Sequence, residues 1–182
     1  MILSDTTILD YLRSGKILIE PEVRETDVRP TGVRIHLAEE ILVPKANVLV
    51  NPEAMVDVPY RSIRLGPEGH ILRTQEFVLG SSRERIKTDR EIVCLLDGRS
   101  TIARLGLGIH CTAGLMDSVH DDMRSVTLEL YNFGPFDLLL TPGMAIGIVV
   151  FSTLSAPIAQ NAQVQYFGQV GATRPNLHFR RK

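Results

Sequence analysis

Apolar and polar residues alternate along most of this chain with the two-residue period of half-buried strands. Val33, Ile35 and Leu37 share one face, with Arg34 and His36 on the other. Val126, Leu128 and Leu130 repeat the pattern against Thr127, Glu129 and Tyr131. Shorter runs at Ile17–Ile19, Glu76–Leu79, Ile92–Leu96 and Asp137–Leu140 predict further strands. Turn signals bound them at Asp97-Gly98, Asn132-Phe133-Gly134-Pro135 and Thr141-Pro142-Gly143. Ile146–Phe151 is almost continuously apolar, which predicts a strand covered on both faces. The N-terminus departs from this period. Ser4 as cap, Asp5 in the first turn, Ile8, Tyr11 and Leu12 on one face and Gly15 as stop predict a short helix. Many short strands with Gly/Pro turns predict a mainly β protein with a distorted β-barrel or jelly-roll-like fold.

Composition narrows the classes. The chain has 182 residues, about one domain, and we take 1–182 as a single unit. Twenty basic and 21 acidic residues give a net charge of −1, which argues against nucleic acid as a partner. A hydrophobic share of 44% with 23% charged residues is that of a globular protein with one sizeable core. Cys94 and Cys111 are too few for a disulfide framework. No apolar run approaches the roughly 18 residues of a membrane span, and Met1 to Asp5 lacks the features of a signal peptide. A cytoplasmic protein without membrane contact is expected. From about Gln160 the strand pattern fades toward Arg180-Arg181-Lys182. Residues 160–182 read either as a solvated tail or as an arm folding over a ligand or a neighbouring subunit.

Several chemistries are excluded by spacing. Zinc-dependent deamination needs His-x-Glu with Pro-Cys-x-x-Cys, and neither is present. Adjacent His110 and Cys111 point to opposite faces of a strand and suit packing better than one metal ion. There is no P-loop and no Gly-x-Gly-x-x-Gly. The densest polar segment is Asp97 to Gly106, where Arg99 and Arg104 flank Ser100 and Thr101. Arginine forks and hydroxyls after a glycine turn match phosphate oxygens, although such a turn in an arbitrary sequence is merely solvated. Glu129, on the polar face of its strand, becomes a candidate general base once another element or subunit encloses it.

These segments resemble a known family. Gly98-Arg99-Ser100-Thr101-Ile102-Ala103-Arg104-Leu105-Gly106-Leu107, His110-x-Thr112-Ala113-Gly114, Asp117, Thr127-Leu128-Glu129-Leu130-x-Asn132 and Pro142-Gly143-Met144-x-Ile146-Gly147 look like the dCTP deaminase branch of the dUTPase-like superfamily. The likeness runs from Met1-Ile2-Leu3-Ser4-Asp5 and Gly15-x-Ile17-x-Ile19-x-Pro21 to Tyr166-x-Gly168-Gln169-x-Gly171. It implies a homotrimer with three nucleotide sites at subunit interfaces. The substrate would be a deoxynucleotide carried as a magnesium triphosphate, with no zinc and no protein-bound metal at the base. Glu129 would be the general acid/base, with Ser100 orienting water and Arg104 keeping the carboxylate ionised. Arg99, Ser100, Thr101, Arg104, Ala113, Asp117, Thr127, Leu128 and Gln169 would contact substrate. The implied reaction is hydrolytic deamination of dCTP, or a close cytosine deoxynucleotide, to dUTP and ammonia. A dUTP diphosphatase or bifunctional dUMP-forming deaminase, and a non-catalytic nucleotide-binding regulator, are the alternatives.

The resemblance has four departures. The family's Pro-Asn-Ser-Val-Asp-Leu-Arg-Leu reads Pro30-Thr31-Gly32-Val33-Arg34-Ile35-His36-Leu37, so Arg34 stands in place of an acid. The Asp-Pro-Gly-Phe loop reads Asp117-Ser118-Val119-His120, and the interval to Glu129 is two residues longer. The family's C-terminal phosphate-contacting lysine is Gln165 here, and a tyrosine expected before it has no counterpart between Ile158 and Val164.

Overall fold

A computed structural model of the chain describes residues 1–54, 57–116, 122–159 and 165–178. Helix α1 (Asp5–Ser14) is followed by β1 (Ile17–Glu20), β2 (Val28–Arg29), β3 (Gly32–His36), β4 (Glu40–Pro44) and β5 (Tyr60–Arg64). Next come β6 (His70–Leu72), β7 (Phe77–Thr88), β8 (Ile92–Gly98) and the four-residue α2 (Ser100–Ala103). The chain continues through β9 (Leu107–Gly108), β10 (Leu115–Met116), β11 (Arg124–Asn132), β12 (Leu138–Leu140) and β13 (Ala145–Thr153). One sheet runs β5-β4-β7-β11-β9, with β1 also paired to β7; a second runs β10-β8-β13-β3-β2. Strands β12 and β6 form a small ribbon. The expected mainly β, jelly-roll-like architecture is therefore realised as two antiparallel sheets sharing a core rather than as one closed barrel.

The alternating residues do what their period demands. Ile35, Leu37, Leu128, Leu130, Ile146 and Phe151 are fully buried between the sheets. Each such side chain contributes about 1.5–3 kcal/mol. Helix α1 spans the expected residues and ends at Gly15, which adopts φ 76° and donates its N–H to Leu12 O. Its start differs from expectation. Ser4 makes no side-chain cap and instead shares hydrogen bonds with the hydroxyls of Thr6 and Thr7, while Asp5 accepts from Thr6 N–H. Strand β13 also departs from expectation, because Ile148 and Val150 stay half-buried in a single chain.

Two features set the geometry around β11. Gly106 lies against Gly134, where a Cβ on either would fall 2.4 or 2.3 Å from the opposing backbone. That approach, with the Phe133 N–H donated to Gly106 O, fixes the end of α2 against the turn after β11. The second is a bulge: Ser125 pairs with Arg85 and Thr127 with Ser81, so three residues of β7 stand opposite Val126. Ser82 fills the irregularity, accepting from Val126 N–H and donating to Glu84 O.

Candidate active site

Strand register places Glu129 in a row that crosses the outer face of the first sheet. Glu129 pairs with Leu79, Leu79 with Leu42 and Leu42 with Ser62. Neighbouring pairs on this face lie two residues away along the strands. On one side are Tyr131 with Phe77 and Pro44 with Tyr60; on the other are Thr127 with Ser81 and Glu40 with Arg64. One pair further lies Ser125 with Arg85. An apolar and aromatic end therefore grades through a carboxylate into an end rich in hydroxyls and charge.

Glu129 is half-buried and held on both its main chain and its side chain. Its N–H donates to Ile109 O at 3.0 Å, and its Oε2 accepts the Cys111 N–H at 2.8 Å. Burial pushes the Cys111 thiol up from its ordinary value, and the nearby Glu129 carboxylate pushes it further. The same two causes, in the same order, raise the Tyr60 phenol. Both groups therefore lie within electrostatic reach of Glu129.

The described part of the C-terminal arm covers this face. Gln169 donates to the Thr127 hydroxyl, its carbonyl accepts from Ser125 N–H at 3.1 Å, and Gly171 N–H donates to Ser125 Oγ. Gly168 N–H donates to Asp122, and Arg174 donates to Tyr60 O at 3.1 Å. Gln165 turns inward on the arm itself, donating to Asn176 O at 2.9 Å.

Helix α2 stands apart from this face. Ile102 anchors it in the core, while Ser100, Thr101 and Arg104 are exposed. Arg99 donates to Ala145 O at 2.6 Å. Among the described residues of one chain, no hydrogen bond or ion pair joins Ser100 or Arg104 to Glu129. Ala113 is exposed, and the Leu128 side chain is buried, so only the Leu128 main chain borders the outer face. Asp117 lies outside the described residues. Among the described residues there is no group of three or more His, Cys, Asp or Glu able to hold a metal ion.

Sequence reasoning missed Tyr60, the Cys111 N–H, Ser81 and Arg85. No local motif marks them; pairing across four strands assembles them. It also missed a buried charge cluster on the other side of β7. His36 Nδ1 lies 2.8 Å from Glu84 Oε1, and the His36 N–H donates to Glu84 Oε2. Arg24 pairs with Asp27 at 2.8 Å and Arg34 with Asp27 at 3.5 Å. The acid-to-arginine departure at Arg34 is thus a charge exchange with a local partner. Burial pushes the Asp27 carboxyl up, but the Arg24 hydrogen bond and the charges of His36, Arg24 and Arg34 leave it below its ordinary value.

Two packed antiparallel sheets, with a carboxylate on one outer face and a C-terminal arm beside it, define a dUTPase-like fold. A dUTPase from phage phi11 of Staphylococcus aureus superposes with a TM-score of 0.50 at 13% identity, over 84% of this chain and 97% of that one. The 2'-deoxycytidine 5'-triphosphate deaminase from Agrobacterium tumefaciens superposes with a TM-score of 0.63 at 15% identity, over 82% of this chain. The present chain spans about half of that longer one, 47%. Residues 2–154 match the dCTP deaminase-like family, and the chain belongs to it. A dUMP-forming dCTP deaminase of Methanobrevibacter smithii is 35% identical over 86% of this chain and 82% of its own. Another of the same name, from Dictyoglomus thermophilum, is 34% identical over 100% of this chain and 98% of its own. A dCTP deaminase of Halorubrum lacusprofundi is 36% identical over 86% and 79%. The family is one of hydrolytic deaminases, and this chain is an enzyme of that type.

Proposed function

We propose that the chain deaminates dCTP with Glu129 as its general acid/base, and that the product is dUMP. The observation that carries the reading is the Glu129 carboxylate itself. It is half-buried, with Oε2 held by the Cys111 N–H, so that Oε1 is left for proton transfer. Water adds through oxygen to C4 of cytosine while Glu129 takes one of its protons and delivers it to ring N3. Glu129 then takes the remaining hydroxyl proton from the tetrahedral carbon and passes it to the amino group, so that C4=O forms as the C4–N bond breaks and ammonia leaves. Thr127 and Gln169 flank the sugar end of this face. Magnesium arrives with the triphosphate as part of the substrate.

The family resemblance implies dUTP as product, with dUMP as the alternative; relatives matching 86% and 100% of the chain carry dUMP-forming names and support the alternative. On that reading a second water attacks the α-phosphorus of dUTP and pyrophosphate departs. Arg99, Ser100, Thr101 and Arg104 reach a carboxylate best from a neighbouring copy, since they lie on or beside α2 and make no bond to their own Glu129. A homotrimer with shared sites satisfies this, because closed cyclic symmetry repeats one interface three times. Incubation with dCTP and, separately, dUTP, each with magnesium, tests the reading by following ammonia and pyrophosphate independently. Ammonia and pyrophosphate in equal amounts from dCTP are expected. Ammonia alone makes the product dUTP, pyrophosphate from dUTP alone makes the chain a diphosphatase, and neither product leaves a nucleotide-binding regulator.

A further inference from the structure

A cavity of about 800 Å³ lies beside the arm, one pair along the sheet from Glu129. Its walls include Ser81, Arg83, Arg85, Arg64, Ser125 and Gly171. Two of these groups are unsatisfied. The Ser81 hydroxyl is fully buried, and among the described residues it has no hydrogen-bond partner; the buried Arg85 Nε–H has none either. Buried donors without acceptors are uncommon in folded proteins and mark places where a ligand or ordered water completes the bonding. The acids at the rim are already engaged. Glu39 pairs with Arg64 at 3.0 Å, and Glu40 accepts from the Ser62 hydroxyl. Arg85 Nη1 lies 3.5 Å from Glu20 Oε2, an ion pair that does not engage its Nε–H. Spare capacity in the cavity therefore consists of donors, one of them on a guanidinium, and it suits an oxyanion.

Distance assigns the anion. Ser81 pairs with Thr127, two residues along β11 from Glu129, roughly 7 Å at strand spacing. Arg85 pairs with Ser125 at the next pair along. A nucleotide with its base at Glu129 and its sugar at Thr127 extends its phosphates toward Ser81 and Arg85, beneath Val170 and Gly171 of the arm. The volume falls within the range of nucleotide-sized pockets.

We propose that this cavity is a polyphosphate subsite, in which Ser81 Oγ–H and Arg85 Nε–H donate to the phosphates of the nucleotide whose base meets Glu129. The inference rests on the proposed cytosine-nucleotide reading and adds residues that reading does not use. It separates from that reading because binding is measured without turnover. Calorimetric titration with dCTP plus magnesium, and with deoxycytidine, is compared for Glu129→Gln, which is expected to bind dCTP without converting it, and for Arg85→Gln and Ser81→Ala made in that background. Arg85→Gln is expected to weaken dCTP about tenfold, the size of a lost charge-assisted hydrogen bond, and to leave deoxycytidine within twofold. Arg85 also donates to Met123 O at 3.0 Å, so a fold defect is a competing cause for that variant alone. Ser81→Ala removes a buried hydroxyl that has no partner among the described residues. Its unliganded Tm should hold or rise, while dCTP weakens severalfold and deoxycytidine does not. Equal losses for dCTP and deoxycytidine, unchanged dCTP affinity in Ser81→Ala, or a fall in its unliganded Tm with dissociation to smaller species would each overturn the proposal. The last outcome would make the cavity an interface between copies. Ammonia release from wild type, measured alongside, reports separately on the deaminase reading.

Discussion

The two faces of β7 handle charge in opposite ways. Toward β3, Asp27, His36 and Glu84 are only 4%, 5% and 4% exposed, and each charge there has a partner. Toward β11, Glu129 has one oxygen fixed by a main-chain N–H, and Ser81 and Arg85 keep donors with nothing described to receive them. Buried charges that are fully matched hold strands together, and removing one partner strands the other. Polar groups with bonding capacity left over do little for the fold and are available to a substrate. The same sheet thus carries a matched charge cluster and one with bonding capacity left over, separated by the thickness of a strand.

Loss of Glu129 sharpens this contrast most. Glu129→Gln preserves shape but takes no proton, so kcat should fall about a hundredfold to ten-thousandfold, with dCTP affinity and Tm nearly unchanged. Steady-state kinetics beside a melting curve reads both, and activity within a fewfold of wild type would remove Glu129 from the chemistry. Glu84→Ala should do the reverse. It strands the His36 ring and N–H, costing about 3 kcal/mol or more in a denaturant titration. A change below about 1 kcal/mol would mean that the cluster is not what secures β3 to β7. The smallest effect concerns Cys111. Because burial and then Glu129 raise its thiol, alkylation by iodoacetamide at about pH 8 should be slower than that of an ordinary exposed thiol and should accelerate as the pH rises. Glu129→Gln removes one cause, lowers the thiol toward its ordinary value and should speed alkylation at that pH severalfold. Cys94 does not compete, since it is buried and its thiol is pushed far higher. An unchanged rate would separate Cys111 from Glu129.

Much of the framework was legible because a strand with one buried face must alternate. Val126 to Leu130 and Val33 to Leu37 announced β11 and β3 in this way. Strands β4, β5 and β6 were not legible. Glu40–Pro44 is short and ends in proline, Tyr60–Arg64 buries neither end deeply, and His70–Leu72 has only three residues. Glu129 could be singled out because its neighbours resemble a family motif. The cavity at Ser81 and Arg85 could not, since its walls come from residues 37 to 171 and meet only once register is set. Gln169 and Thr127 illustrate the same limit: 42 residues separate two side chains that share a hydrogen bond.

The bulge in β7 has a consequence for how this stretch can change over time. Between Ser81 and Arg85 the strand spends three residues against one, and alternation through this stretch carries Glu84 to the buried cluster and Arg85 to the open face. Side chains along a strand alternate sides, so deleting or adding a single residue there would interchange the two populations. Acid would be delivered to the cavity and arginine to the His36 pocket. Individual letters in this stretch can be exchanged one at a time, but its length acts as a reading frame for which side of the sheet each charge serves.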